Sequence, residues 1–192
     1  MNSELILSII IIIISCDYVF GLILSYLNFK SMGNPIPKEL INIYNDSDYK
    51  KSQDYNKHNF TFSLFHSSFS FLVLLVVLKF GLLGELDKFL RSYTLENELS
   101  LSLLFFGSIF VINDFLSIPF QLYSNFVIEE KYGFNQMTFK VFLIDKLKSF
   151  FLVFVLGGIL IFSLLILILF FSTNFWIYFW LFISLFILFI NA

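Results

Sequence analysis

The sequence predicts an all-α protein, a multi-pass transmembrane helix bundle of about five spans. Three observations carry this. The 192 residues are 58% hydrophobic and only 14% charged, against about 25% charged residues in an ordinary soluble domain. Of five apolar runs, those at about residues 4–29, 60–83, 99–123 and 147–171 are of the length needed to cross a bilayer, which takes about 20 residues, and the fifth, at about 175–190, is still apolar where the sequence stops. Polar passages separate the runs, the first of them carrying lysines with Gly33, Pro35 and Pro37. All 192 residues fall into one membrane domain. The net charge of −2 gives no reason to expect a nucleic-acid partner, and the lipid bilayer is the partner that the composition demands. The 29 phenylalanines look like a codon bias, and phenylalanine is acceptable facing lipid in any case.

The first run competes with a signal peptide. Ile13-Ile14-Ser15-Cys16 resembles a lipoprotein cleavage box, but the residues before the run carry Glu4 and no Lys or Arg. Signal peptides begin with a basic segment, and the apolar run continues past Cys16 to Leu27, so a membrane span is expected. As the single cysteine, Cys16 excludes an internal disulfide.

Residues 30–59 are polar, with Gly33, Pro35 and Pro37 as breakers and a short helix expected at Lys38-Glu39. Residues 44–57 mix acids with lysines and are expected as a juxtamembrane loop. Residues 84–97 form a short charged connector after the second span. Between the third and fourth spans, Thr138 is placed to cap a helix. Phe139, Phe142, Leu143, Leu147 and Phe150 follow at helical spacing, which predicts a short cytoplasmic interfacial helix before the fourth span. Trp176, Tyr178 and Trp180 open the fifth span as an interfacial aromatic belt would.

Nine of the twelve Lys and Arg residues lie in the first and third loops, and three (Lys79, Lys88, Arg91) lie around the second. The positive-inside bias therefore puts the amino terminus outside and the third loop in the cytoplasm. For a bacterial chain, the expected location, this means the cytoplasmic membrane.

Asp17 and Asp114 fall inside apolar runs, where an acid costs about 2.5–3.5 kcal/mol on insertion scales and should face protein or water. Helical spacing aligns Asp17 with Gly21, Ser25 and Asn28, and Asp114 with Gly107, Ser117 and Gln121. Ser63, His66, Ser67 and Ser70 make a third stripe. Three readings stay open: interhelical pairing that fastens the bundle, a hydrated chamber lined by Asp17, Ser67, Asp114 and Gln121, or a proton route through the two aspartates.

Zinc hydrolysis needs two histidines one helical turn apart, a glutamate between them and a third ligand. The chain has only His58 and His66. On a helix, eight residues separate them by about 12 Å along the axis, too far to share one ion. His58 is expected in a solvated loop and His66 in packing or hydrogen bonding, with the neighbouring serines as partners. Glu129 and Glu130, beside Lys131, are expected to be solvated or to make an interdomain contact. No nucleophile elbow and no phosphate-cradling glycine loop is present.

Two stretches carry a family resemblance. One joins Ile118-Pro119-Phe120, Tyr123, the run FVIEEKYGFN at residues 126–135, Thr138, Phe142 and Asp145-Lys146-Leu147-Lys148; the other is YKKSQDY at residues 49–55. Together they resemble the type I CAAX prenyl proteases, which are integral-membrane zinc metallopeptidases. The resemblance singles out a signature loop with Pro119, Tyr123, Glu129, Glu130, Gly133, Phe134, Asn135, Asp145, Lys146 and Lys148. It implies the amino-terminal five of seven helices around a large hydrated chamber that holds a lipidated peptide. It also implies cleavage by a zinc-bound water with the HExxH glutamate as base, but HExxH is absent from this sequence. No cofactor is therefore expected in this chain and no catalytic residue is assigned. Zinc is expected only in a missing catalytic part, a separately encoded half being one candidate partner. The end of the sequence inside the fifth run suggests truncation or a split gene. For a eukaryotic chain the resemblance implies the endoplasmic reticulum. A non-catalytic scaffold subunit and a small proton-coupled transporter using Asp17 and Asp114 are the alternatives, with membrane-protein quality control a substitute role in bacteria.

Overall fold

The structure, a computed structural model, describes residues 3–32, 45–94 and 97–191. Among them every regular element is helical. In chain order these are α1 (Ser3–Ser31), α2 (Asp46–Lys79), α3 (Leu82–Thr94) and α4 (Glu98–Tyr123). A π-helical segment (Ser124–Glu129) leads into the short α5 (Glu130–Tyr132), and α6 (Phe139–Phe171) and α7 (Phe175–Asn191) complete the order. The expected short helix at Lys38-Glu39 lies outside the described residues.

Three boundaries differ from those read in the sequence. Residues 46–57, expected as a loop, are helical and continuous with the second span. Asn45 caps this helix by accepting a hydrogen bond from the Ser47 amide at 3.3 Å, and no glycine or proline interrupts residues 46–79. At about 1.5 Å per residue, the apolar residues 60–79 alone account for about 30 Å, the thickness of a hydrocarbon core. The polar amino-terminal turns thus extend about 20 Å beyond it. The second span ends at Lys79 rather than Leu83, because Gly81 takes a left-handed φ of 64° that breaks the helix.

The charged connector is itself largely the helix α3, with Leu90 and Thr94 buried. Arg91 fastens its end, 2.8 Å from Asp87 Oδ2 and 3.0 Å from Glu98 Oε1. These two carboxylates push the guanidinium above its ordinary value, so it stays charged.

The third difference concerns the fourth span. Thr138 caps α6 as expected, its Oγ1 accepting from the Val141 amide at 3.3 Å. The interfacial helix, however, is not a separate element: it runs without a break into the fourth span as one helix of 33 residues. Residues 139–156 hold no glycine or proline at which a bend would form.

Four helical stretches are long and apolar enough to cross a membrane: Glu4–Ser31, Ser47–Lys79, Glu98–Tyr132 and Phe139–Asn191. The last has 53 residues and would measure about 80 Å as one rod, far more than one crossing. It is interrupted by a 3-10 turn at Ser172–Asn174, where Ser172 takes a φ of 42°, and Phe171 stacks on Tyr178 at 4.0 Å across the turn. Two passes are thereby defined within it.

The helices gather into two compact units, residues 1–85 with 117–136, and residues 86–116 with 137–192. In the first, α1 lies against α2 through Tyr18 stacked on Phe71 at 4.1 Å and Phe29 stacked on Phe60 at 4.5 Å. Tyr18 Oη also meets Ser68 Oγ at 2.7 Å. The second unit is held by contacts of α6 with α7 and of α4 with α6, the latter including Phe110 against Phe150 at 5.8 Å.

Candidate signature site

The site begins at a chemical interruption of α4. Pro119 has no amide hydrogen, so the Phe115 carbonyl loses its helical donor. Five residues on, the ladder widens into the π segment 124–129, a rare geometry that is frequent at functional positions. α5 then stops at Gly133, which adopts a φ of 77°. The Phe134 amide donates to Glu129 O at 2.9 Å and the Gly133 amide to Glu130 O at 3.1 Å. These two bonds make a Schellman motif, which needs a residue free to take the left-handed conformation. The signature loop is therefore helical through Tyr132 and turns only at residues 133–138.

This turn aims the signature side chains at the polar amino-terminal part of α2. Tyr55 donates its phenolic hydrogen to Glu129 Oε1 at 2.5 Å. Its ring meets Tyr132 at 5.3 Å and Phe134 at 5.0 Å, both edge-on. His58 Nδ1 lies 2.8 Å from Tyr132 Oη, and Lys51 sits over the Phe134 ring at 5.6 Å. Asn135 closes the cluster by donating to Glu130 Oε2 at 2.8 Å. Tyr55 precedes the apolar stretch of α2. The bond to Glu129 is the largest cause, with burial second, that pushes its phenol above the ordinary value of 10.0.

Two expectations are corrected here. His58 stands on a helix where a loop was expected; it is exposed, as expected, and also meets Tyr132. Glu129 is half-buried against Tyr55 rather than free in solvent. His66 packs as expected, over Phe120 at 4.4 Å and near Phe62 at 6.4 Å. The adjacent serines are not its partners: Ser63 and Ser67 donate to the backbone oxygens of Phe60 and Leu64.

Beside the cluster runs an aromatic groove of about 710 Å³, floored by Phe62, Phe65, Phe120 and Tyr123 and edged by Pro119 and His58. Phe62 stacks on Tyr123 at 5.1 Å, and Phe120 meets Phe69 at 5.1 Å.

The remaining signature residues belong to the second unit. Lys146 Nζ lies 2.6 Å from Asp114 Oδ1, and Asp145 and Lys148 pair at 3.6 Å on the exposed side. Of the polar-stripe residues, Gln121 donates to Ser117 Oγ at 2.6 Å, while Asp17 and Ser67 are exposed. Spacing alone did not reveal Tyr18, Tyr55 or Lys146 as partners of Ser68, Glu129 and Asp114. For Tyr55 a signal existed, since it ends one of the two resembling stretches. Among the described residues no three His, Cys, Asp or Glu side chains converge to hold a metal ion. These residues do not fit a zinc site.

The sequence model of the family described as "CAAX prenyl protease N-terminal, five membrane helices" matches residues 25–192. The chain belongs to that CAAX prenyl protease N-terminal family. It is an integral, multi-pass membrane protein, and the five membrane helices agree with four long stretches of which the last is divided in two. It is 34% identical over 128 residues to the CAAX prenyl protease 1 homolog of Caenorhabditis elegans, covering 66% of this chain and 28% of the relative. The CAAX prenyl protease 1 of Saccharomyces cerevisiae is 26% identical over 169 residues, 83% of this chain and 37% of the relative. Among solved structures, the crystal structure of S. mikatae Ste24p superimposes with a TM-score of 0.84 at 26% identity, over 96% of this chain and 44% of that one. This CAAX prenyl protease N-terminal chain thus spans less than half the length of these relatives.

Proposed function

We propose that the chain is the amino-terminal membrane part of a CAAX prenyl protease-like zinc metalloendopeptidase, building chamber wall and docking face but not cleaving peptides by itself. The observation that carries this reading is the contact between the two resembling stretches: Tyr55 on Glu129, and Lys51 on Phe134. Residues far apart in sequence are thereby fixed as one surface. Because the described histidines and acids do not converge on a metal, bond cleavage is assigned to a zinc-binding part outside this chain, whether joined to it or separately encoded. In this reading Asp17, Ser67, Asp114 and Gln121 line the hydrated chamber, and the signature segment faces the cytoplasm with the amino terminus outside. The membrane is the bacterial cytoplasmic membrane, or the endoplasmic reticulum in a eukaryote. The substrate is a lipidated CAAX-type carboxyl-terminal peptide, with membrane-protein proteolysis the substitute where such tails are lacking.

The test combines this chain with the remaining carboxyl-terminal length of the S. cerevisiae relative, expressed as a second polypeptide. Cleavage of a farnesylated CAAX peptide is expected from the mixture and from neither part alone. Stoichiometric zinc and cleavage in this chain alone, or failure of the two parts to associate, would overturn the assignment.

A further inference from the structure

A second groove, of about 700 Å³, lies where the polar turns of α2 meet the end of α1 and α5. Its rim carries four ammonium groups, Lys50, Lys51, Lys57 and Lys131, against one carboxylate, Asp54. Among the described residues no carboxylate lies within 4 Å of any of the four. The nearby acids of the signature segment are engaged elsewhere, Glu129 by Tyr55 and Glu130 by Asn135. Phe29 forms part of the floor and stacks on Phe60, the first residue of the apolar stretch of α2. The inner end of the rim, at Lys57, therefore stands where apolar helix gives way to polar helix, and Lys50 and Lys51 extend it outward along α2. His58, Thr61 and Lys131 line both this groove and the aromatic one, so a cationic rim continues into an apolar channel.

The geometry points to a bound anionic phospholipid, its phosphate among Lys50, Lys51, Lys57 and Lys131 and an acyl chain along Phe62, Phe65 and Phe120. Charge complementarity selects this occupant. A phosphodiester surrounded by an excess of ammonium groups is attracted at close range, whereas a zwitterionic headgroup brings its own cation into the same rim. The apolar neighbour selects a lipid over free phosphate, which has nothing to place there. Each basic residue at an anionic membrane surface contributes about 1 kcal/mol, or about fivefold in affinity.

The test reconstitutes the full chain in vesicles holding equal phosphatidylglycerol and phosphatidylcholine, extracts it in detergent and weighs the retained lipids by native mass spectrometry. Phosphatidylglycerol is expected to be enriched at least tenfold over phosphatidylcholine. Lys57→Gln and Lys131→Gln should each lower the enrichment about fivefold, with Lys57→Arg restoring it and Lys79→Gln, at the far end of α2, leaving it unchanged. On the unaltered protein, raising salt from low to high concentration should reduce the enrichment, which keeps the test decisive even where a glutamine variant fails to fold. Equal retention of the two lipids, or enrichment indifferent to salt, overturns the inference. So does displacement of the lipid by inorganic phosphate alone, which marks a simple anion site. Stronger displacement by a farnesylated peptide with a free carboxylate than by added phosphatidylglycerol also overturns it, making the groove a peptide-terminus site.

Discussion

Lys146 Nζ lies 2.6 Å from Asp114 Oδ1, joining α6 to α4 through a pair whose side chains are only 19% and 25% exposed. Asp114 sits in an apolar run, whereas Lys146 comes from the polar first turns of α6, so the lysine offsets the desolvation of the carboxylate. A carboxylate in an apolar run must find a partner or water, and here the partner comes from the signature residues 32 positions later. Asp114 thus joins α4 to α6, a common use of such a group that is compatible with a place in the wall of the proposed chamber.

Removing one partner takes this ion pair from the other. Asp114→Asn and Lys146→Met should each destabilise the protein by about 1.5–3 kcal/mol, the range for a hydrogen bond to a charged group. The double variant Asp114→Leu with Lys146→Leu should lose less than the sum of the singles, because the pair's mutual attraction is counted once and not twice. Thermal unfolding in one detergent measures all of them, and additive losses would show that the two groups do not interact.

Much of this was legible in the sequence for definite physical reasons. Apolar runs of about 20 residues determine spans, and Thr138 before an apolar periodic stretch determines a helix start. The polar start of α2 was not legible, because a mixture of Asp, Lys and Asn is neutral to helix or loop. Its Asn45 cap and the contacts of Tyr55 and His58 with residues 74 positions away support the helix, and those distant contacts are not visible in local sequence. Likewise, spacing places Asp114 and Gln121 on one helix but cannot say which face meets Lys146. The break at Gly81 could have been read, since glycine is the residue that takes a left-handed φ without steric cost.

Tyr55→Phe keeps the ring contacts and deletes the hydroxyl that donates to Glu129 and also bonds Asn59. The expected loss is about 1–2 kcal/mol, read as faster hydrogen exchange of the 129–135 amides. Its pH dependence has a definite sign. The folded phenol titrates above the ordinary value of 10.0, so the contribution is complete below about pH 10. It disappears as pH rises through the folded value. The gap between native protein and Tyr55→Phe should therefore be flat from neutral pH to about 10 and narrow above it. A gap that widened on that side would mean that Glu129 does not hold this proton.

Gly133 has open space where a β-carbon would stand, so substitution there tests backbone conformation without steric collision. At a φ of 77°, Gly133→Ala should cost about 1–2 kcal/mol. Gly133→Asn should cost less, since asparagine tolerates the left-handed region. Both variants should loosen the Tyr55–Phe134 contact, measurable as increased proteolysis within residues 130–138. Equal losses for alanine and asparagine would count against the Schellman turn as the determinant.

Thr138 tests whether α6 needs its own start signal or is held by the membrane alone. Its Oγ1 accepts from the Val141 amide at 3.3 Å, which satisfies one of the four amides a helix start leaves unpaired. Thr138→Ala should lower stability by about 1 kcal/mol, and Thr138→Asp should restore it. The aspartate would add a favourable charge at the positive end of the helix dipole. The same cap orients the turn carrying Phe142, one of the few buried side chains. The alanine variant should therefore also raise exchange of the residue 139–143 amides while leaving those of α7 unchanged. If exchange rises equally along both helices, the cap acts through global stability and not through the entry of α6.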